Sequence, residues 1–178
     1  MRIISGKFRG TVIPSPKEEI VKPTLDRIKE NIFNIIQFEV AESSCLDLFC
    51  GSGALGLECL SRGANVVHFV DNNKQNIVAL KSLLAKLKCT DAKLHSCDYF
   101  EALKTFVATN TKFDIIFLDP PFDSELAEVA LQKIFKFGLL SPNGVVVWEH
   151  PTEHDNSKYK QKIKDSRVYG KIQVDFLR

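Results

Sequence analysis

The chain has 178 residues, a length that suits one domain with a short appendage and leaves no room for a second catalytic domain. Apolar residues make up 44% and charged residues 26%, which speaks against collagen-like, coiled-coil and disordered classes, and no stretch approaches the ~18 apolar residues of a membrane span. Lys and Arg number 24 against 22 Asp and Glu, so a net charge of +2 does not announce a nucleic-acid partner and the placement of charge matters more than its sum. Five cysteines, none in a C-x-x-C pair, and an N-terminus without a signal-peptide apolar run predict reduced thiols and a cytoplasmic location.

In chain order, Ile3 to Ile13 reads as a short basic hairpin. β-Branched residues flank a turn region from Gly6 to Gly10 that carries Lys7, Phe8 and Arg9, and Pro14 and Pro16 end it. From Pro23 the period changes. Thr24 is an expected N-cap, and Leu25, Ile28, Ile32, Ile35 and Ile36 recur at helical spacing while Asp26, Arg27, Lys29 and Glu30 take the other positions, predicting a helix that ends near Phe38. Strands and helices then alternate: strand 45–49, helix 54–61, strand 65–70, helix 73–88, a weak strand 93–96, helix 99–107 and strand 113–118. A helix containing Leu126, Val129 and Ile134 and a strand over 144–148 follow. Apolar runs separated by amphipathic helices predict an α/β fold with a mostly parallel sheet covered on both faces. Segments 167–169 and 171–176 around Gly170 predict a closing hairpin, and the lysine-rich stretch 151–165 matches no element. The expected organisation is a basic extension over 1–22 and one domain over 23–178.

Gly51, Gly53 and Gly56 stand in G-x-G-x-x-G spacing between an apolar strand and a helix, the context a nucleotide-binding fingerprint requires. Asp71 ends the next strand, where a carboxylate can accept both hydroxyls of an adenosine ribose. Two cofactor classes share this layout. A dinucleotide would seat its pyrophosphate on the helix N-terminus, but Asp47, four residues before Gly51, would repel it and attract a cation. S-adenosylmethionine carries a sulfonium and an ammonium and no phosphate, so D-x-x-x-G-x-G suits it better. Asp98, beside Tyr99 and Phe100, can accept the adenine amine, cap the next helix, or do both. With their neighbours Phe49 and Asn72, the candidate cofactor residues are Asp47, Gly51, Gly53, Asp71, Asp98 and Tyr99. A tight turn that binds nothing would make the three glycines and two aspartates coincidental.

The most specific stretch is the buried strand that runs into Asp119-Pro120-Pro121-Phe122. Two prolines lock φ and remove backbone donors, so the carbonyls of Asp119 and Pro120 are expected to face the crevice as acceptors. Acceptors of that kind suit an exocyclic amine: Asp119 takes one N–H, a carbonyl the other, and Phe122 stacks on a planar base. The bland alternative is a Pro-Pro turn with a core Phe.

At these residues the chain resembles the amino-methyltransferases with a [D/N]-P-P-[Y/F] corner, and more narrowly the bacterial 16S rRNA guanine-N2 methyltransferase family (RsmD-type). The resemblance is carried by Arg2 to Gly10, by Pro23 to Glu30 with Phe33-Asn34, by Leu46 to Glu58 and by Asp119 to Phe122, and it departs after His150. It implies a Rossmann-like class I methyltransferase sandwich with a mostly parallel seven-stranded sheet, an antiparallel closing hairpin and an N-terminal β-hairpin extension. It also implies S-adenosylmethionine as cofactor, 16S rRNA or the assembling small subunit as partner, and catalytic roles for Asp119, Pro120, Pro121 and Phe122. Arg27 and Glu30 would border the pocket, the alternative being an i, i+3 surface ion pair. A monomer without a membrane partner is expected.

Candidate RNA contacts are Arg2, Lys7, Phe8, Arg9 and Arg27: through Pro16 the chain has no acidic residue, and Phe8 at an exposed turn has no evident core role. Lys158, Lys160, Lys162 and Lys164 read equally as phosphate contacts or as a solvated face. The histidines show no metal spacing; His68 reads as structural, and Glu149-His150 is placed at a strand end where it can face the crevice. Two other classes compete. A dinucleotide-dependent oxidoreductase explains the glycines but neither Asp47 nor the Asp-Pro-Pro-Phe corner, and a non-catalytic RNA-binding protein would bind RNA without methyl turnover. Methylation of an amine in another nucleic acid is the nearest alternative.

Overall fold

The computed structural model describes residues 1–14, 23–120 and 124–178. The helices are α1 (Pro23–Ile35), α2 (Ala54–Ser61), α3 (Lys74–Lys86), α4 (Tyr99–Ala108) and α5 (Ser124–Lys136). The strands are β1 (Ser44–Asp47), β2 (Val66–Asp71), β3 (Ala92–Ser96), β4 (Phe113–Leu118), β5 (Leu140–Pro151), β6 (Ile163–Tyr169) and β7 (Ile172–Leu177). They form one sheet in the order β3-β2-β1-β4-β5-β7-β6, in which β7 alone runs against its neighbours. The expected mostly parallel seven-stranded sheet with an antiparallel closing hairpin is thus what the chain forms. Strand order reverses between β1 and β4, and the crevice outside the carboxyl ends of strands at such a reversal is where open α/β sheets bind ligands.

Alternation along the strands sorts the layers. Ile115 and Phe117 of β4 share a buried cluster with Ile28, Ile32 and Phe33 of α1, Leu57 of α2 and Leu80 of α3. Ile116 and Leu118 belong to the opposite cluster, with Leu103 and Phe106 of α4 and Leu131 and Ile134 of α5. A strand covered on both faces has no polar side to show, hence the unbroken apolar run.

Residues 1–14 fold back on themselves through a bridge between Arg2 and Val12, and Ile3 N–H donates to the Thr11 carbonyl at 3.0 Å. This arm docks on the C-terminal half of α2. Glu58, fully buried, accepts from Ile4 N–H at 2.8 Å, Ser5 N–H at 3.0 Å and the Arg62 side chain at 2.8 Å. The N–H groups of Lys7 and Phe8 donate to the carbonyl and hydroxyl of Ser61 at 2.8 and 2.9 Å. Gly6 has φ +80°, and a Cβ there would stand 1.8 Å from the Ser61 carbonyl oxygen, so only glycine lets the arm approach this closely.

Several elements depart from the sequence expectation. Pro23 opens α1, as suits a residue without an N–H, so Thr24 lies inside the first turn instead of capping it. The helix stops at Ile35; Ile36 and Val40 stay buried through the following turn while Phe38 is exposed. Lys29 leaves the polar face that its period assigned: it is 3% exposed, 2.6 Å from the Arg2 carbonyl and 3.7 Å from Glu58. β6 begins earlier than predicted, at Ile163, because backbone pairing with β7 holds a polar segment that no apolar pattern announces.

The lysine-rich stretch contains a 3-10 turn, Ser157–Tyr159, that sets Tyr159 against Trp148 with ring centroids 5.7 Å apart. Lys158 pairs with Glu128 at 3.0 Å, and Lys162 lies 4.4 Å over the Phe135 ring. On β7, fully buried Asp175 accepts from His150 Nε2 at 2.9 Å and Ser166 Oγ at 2.6 Å. Burial raises the Asp175 carboxyl, but hydrogen bonds from His150, Gln173, Ser166 and Asn156 overcome this and hold it at about 2. His68 is structural as expected, stacked on His95 with Nδ1 to Nε2 at 3.1 Å. Burial, with the charges of His95 and Lys93, pushes it down to about 4.

Candidate active site

β1 ends at Asp47, and the chain turns through Phe49 to Ser52 into α2, with Gly53 N–H closing the turn onto the Cys50 carbonyl at 2.6 Å. A Cβ on Gly56 would stand 2.2 Å from the Phe69 ring, so this glycine sets how closely α2 packs on β2. At Gly51 nothing lies within 4 Å of the corresponding position, which leaves bare backbone facing open space.

Asp47 is 3% exposed, and its Oδ2 accepts from Gly56 N–H at 2.9 Å, tying the strand end to the first turn of α2. Burial pushes its carboxyl up to about 7; the Gly56 hydrogen bond opposes this, and Asp119 and Asp71 add to it. Carboxylates gathered in this way favour a cation in the crevice and oppose a pyrophosphate. Asp71 accepts from Gly51 N–H at 2.8 Å, Asn73 N–H at 2.7 Å and Asn76 Nδ2 at 3.2 Å. A carboxylate offers about four lone-pair positions, so Asp71 shapes the loop and keeps capacity for a hydroxyl. Asn72 is exposed beside it.

Asp98 caps α4 by accepting from Phe100 N–H at 2.8 Å. Tyr99 and Phe49 form a half-buried aromatic pair with centroids 5.4 Å apart. Phe100 belongs elsewhere: Lys104 and Lys133 lie over its ring at 5.0 and 4.2 Å, on the surface between α4 and α5.

On the other side of the reversal, Asp119 is exposed at the end of β4 and Pro120 is half-buried; Pro121 and Phe122 lie outside the described residues. Phe117 is in register with Asp47 on one side and with Val147 on the other. Continued by two residues, that register sets Asp119 level with Glu149 at neighbouring strand ends, on the face that carries Asp47. Burial, followed by the charges of Asp119 and Asp47, pushes the Glu149 carboxyl well above the usual carboxylate range. The pair Glu149-His150 is therefore divided by strand alternation: Glu149 joins the crevice, and His150 turns to Asp175. Val145 and Val147 join one buried cluster and Val146 and Trp148 the other, and this parity, continued to Glu149 and His150, separates them.

The basic residues also separate. Arg2, Arg9 and Arg27 line one open groove between the arm and α1, together with Asp26 and Glu30. Among the described residues no ion pair joins Arg27 to Glu30. Lys7 leaves this groove, pairing with Asp91 at 3.7 Å and lying 5.0 Å over the Phe8 ring. Phe8 itself is half-buried against the core, a packing role that its sequence neighbourhood does not show. All five cysteines are free, and among the described residues no group of metal-binding side chains converges. No described helix is long and apolar enough to cross a membrane.

The sheet order and the glycine loop place the chain in the class of S-adenosylmethionine-dependent methyltransferases of the Rossmann-like, class I type, and the acidic crevice with bare backbone at Gly51 fits that cofactor. The chain belongs to the family described as Conserved hypothetical protein 95, whose model matches residues 1–178. A Haemophilus influenzae relative, Ribosomal RNA small subunit methyltransferase D, is 40% identical over 157 residues, 87% of this chain and 80% of that protein. The solved yhhF chain of Escherichia coli has a TM-score of 0.84 and 30% identity, covering 99% of this chain and 96% of its own. A T. thermophilus 16S rRNA N2 methyltransferase (RsmC), solved with AdoMet and guanosine, shares the fold at a TM-score of 0.73 and 23% identity, covering 91% of this chain and 44% of that one.

Proposed function

We propose that the chain transfers a methyl group from S-adenosylmethionine to the exocyclic N2 amine of a guanine in small-subunit ribosomal RNA. The observation that carries this reading is the Asp119-Pro120 corner, one strand from the glycine loop and on the face of Asp47. The name of the Haemophilus influenzae relative supports the RNA class.

S-adenosylmethionine supplies an activated methyl on a sulfonium, so the chain's own work is alignment, and orientation of this kind can be worth about 7–11 kcal/mol. Asp47, Asp71, Gly51 and Gly53 hold the donor, with Phe49, Asn72, Asp98 and Tyr99 around the adenosine. A guanine N2 lone pair is delocalised into the ring and is a poor nucleophile. The Asp119 carboxylate accepts one amine N–H and the Pro120 carbonyl the other, which directs the lone pair at the methyl and offsets the positive charge growing on nitrogen. As the N–C bond forms, the S–C bond breaks and its electron pair stays on sulfur; the extra proton on N2 passes to Asp119. The sequence adds Pro121 as a lock on the corner and Phe122 as a stacking face for the base, and both lie outside the described residues. Arg2, Arg9 and Arg27 take phosphates along the groove, with Lys7 and Phe8 as a second contact on the extension.

Labelled methyl supplied with unmodified small-subunit RNA, bare or assembled with its ribosomal proteins, is expected to enter the RNA. Nuclease digestion and mass analysis should recover it as N2-methylguanosine. Label on any other atom, or none in RNA, defeats the reading; affinity for NADH without affinity for S-adenosylhomocysteine would favour the oxidoreductase.

A further inference from the structure

The mechanism above leaves Glu149 unused, although the fold delivers it to the acceptor side of the crevice. We propose that Glu149 determines base specificity: its carboxylate accepts the ring N1–H of guanine while Asp119 and Pro120 hold the N2 amine. The proposal deepens the functional reading and rests on it.

Placement is the first argument. β4 and β5 are adjacent and parallel, with Phe117 in register with Val147, so the side chains two positions on leave neighbouring strand ends on one face. Adjacent strands lie about 4.8 Å apart, close enough for two carboxyl groups to converge on one base edge. Tyr169 continues this wall. It ends β6, pairs with Ile172 of β7, and Ile172 pairs with Pro151 at the end of β5, which sets the phenol at the same end of the sheet. Burial pushes its hydroxyl up, and the charges of Arg167, Asp165, Glu149 and Arg27 act on it in that order. Tyr169 packs on the buried cluster that holds Ile28 and Ile32, so α1 lies on this face of the sheet. The row therefore runs from the donor at Asp47 through Asp119 and Glu149 to Tyr169, and Arg27 links it to the arginine groove.

Base chemistry is the second argument. Guanine places a ring N–H directly beside its exocyclic amine, whereas adenine and cytosine place a bare lone pair at the matching ring position. A carboxylate there attracts the first and repels the others, and a site built to pair a hydrogen rejects the analogue that lacks it. Burial beside Asp119 and Asp47 opposes ionisation of Glu149. Positive charge arriving in the crevice, from a sulfonium and the ring N–H, reverses that balance.

The test uses the whole chain, labelled S-adenosylmethionine and small-subunit RNA in which the mapped target guanosine is either retained or replaced by 2-aminopurine riboside. That analogue keeps the amine but presents a lone pair at N1. The parent is expected to prefer guanine by about a hundredfold in kcat/KM. Glu149→Gln, whose amide can either donate or accept, should bring that preference to within about threefold. Its affinity for S-adenosylhomocysteine should stay within about threefold of the parent's, reporting an intact fold. Glu149→Asp should retain the preference at reduced kcat/KM. If the parent makes N2-methylguanosine and Glu149→Gln keeps the full guanine preference, the Glu149 assignment falls while the functional reading stands. If the parent makes no N2-methylguanosine, both fall together.

Discussion

On the donor side of the crevice, carboxylates are tied to backbone of the same stretch of chain: buried Asp47 to Gly56, half-buried Asp71 to Gly51 and Asn73, and exposed Asp98 to Phe100. On the proposed acceptor side, Asp119, Glu149, Tyr169 and Arg27 come from four separate elements that strand register and helix packing bring to one face of the sheet. The first arrangement is braced by hydrogen bonds that span at most 20 positions and is drawn from consecutive strand ends between Asp47 and Phe100. The second exists only once the sheet has closed. A pocket for a ligand that many reactions share can be encoded over a limited stretch, whereas the acceptor site proposed above draws on the whole chain.

The sharpest way to break this comparison is Asp119→Ala. Methyl transfer to small-subunit RNA should fall by about 10³-fold while S-adenosylhomocysteine binds within about threefold of the parent, as calorimetry would show. Loss of both would mean that the two sides are not separable.

Asp47→Asn tests the donor side and should weaken S-adenosylmethionine binding by about tenfold to a hundredfold at pH 8. With its carboxyl at about 7, parent affinity for this cation should rise from pH 6 to pH 8 as Asp47 ionises, and the Asn variant should flatten that rise. The sign for stability is opposite. A folded-state value above the ordinary 3.8 means that the group favours folding at low pH and costs stability as pH rises toward 7. Because an Asn oxygen can still accept from Gly56 N–H, the variant's Tm at pH 8 should equal or exceed the parent's.

The smallest effect is expected at Arg27→Ala, which should weaken RNA binding by about three- to tenfold and reduce the salt slope of binding by about 1. Cofactor affinity should not move. An unchanged salt slope would remove Arg27 from the phosphate groove.

These contrasts also explain what could be read from the amino acids alone. Helix 54–61 and strand 113–118 have the bounds that periodicity assigned, because apolar spacing and the flanking glycines and prolines are local signals. Lys29 does not follow its period, since its burial depends on Glu58, which no spacing in α1 reveals. Glu58 itself holds Ile4 across 54 positions of sequence. β6 was half-hidden because an edge strand kept by backbone pairing needs few apolar side chains. Glu149 and His150 could be separated only by counting strand alternation from Val145, and the divergence of Lys7 from Arg2 and Arg9 depends on where the arm docks. The expectations for Pro121 and Phe122 concern residues outside those described.

α2 is eight residues long, about 12 Å at 1.5 Å per residue. One of its ends receives the glycine loop and the other receives the arm through Glu58 and Ser61. The helix thus works as a ruler between the place where a phosphate chain would be gripped and the place where a methyl group is delivered. A one-residue insertion in it would rotate one end against the other by about 100° and shift both readings at once. If the arm grips RNA as proposed, the length of α2, as much as any side chain, sets which nucleotide falls within reach of the donor.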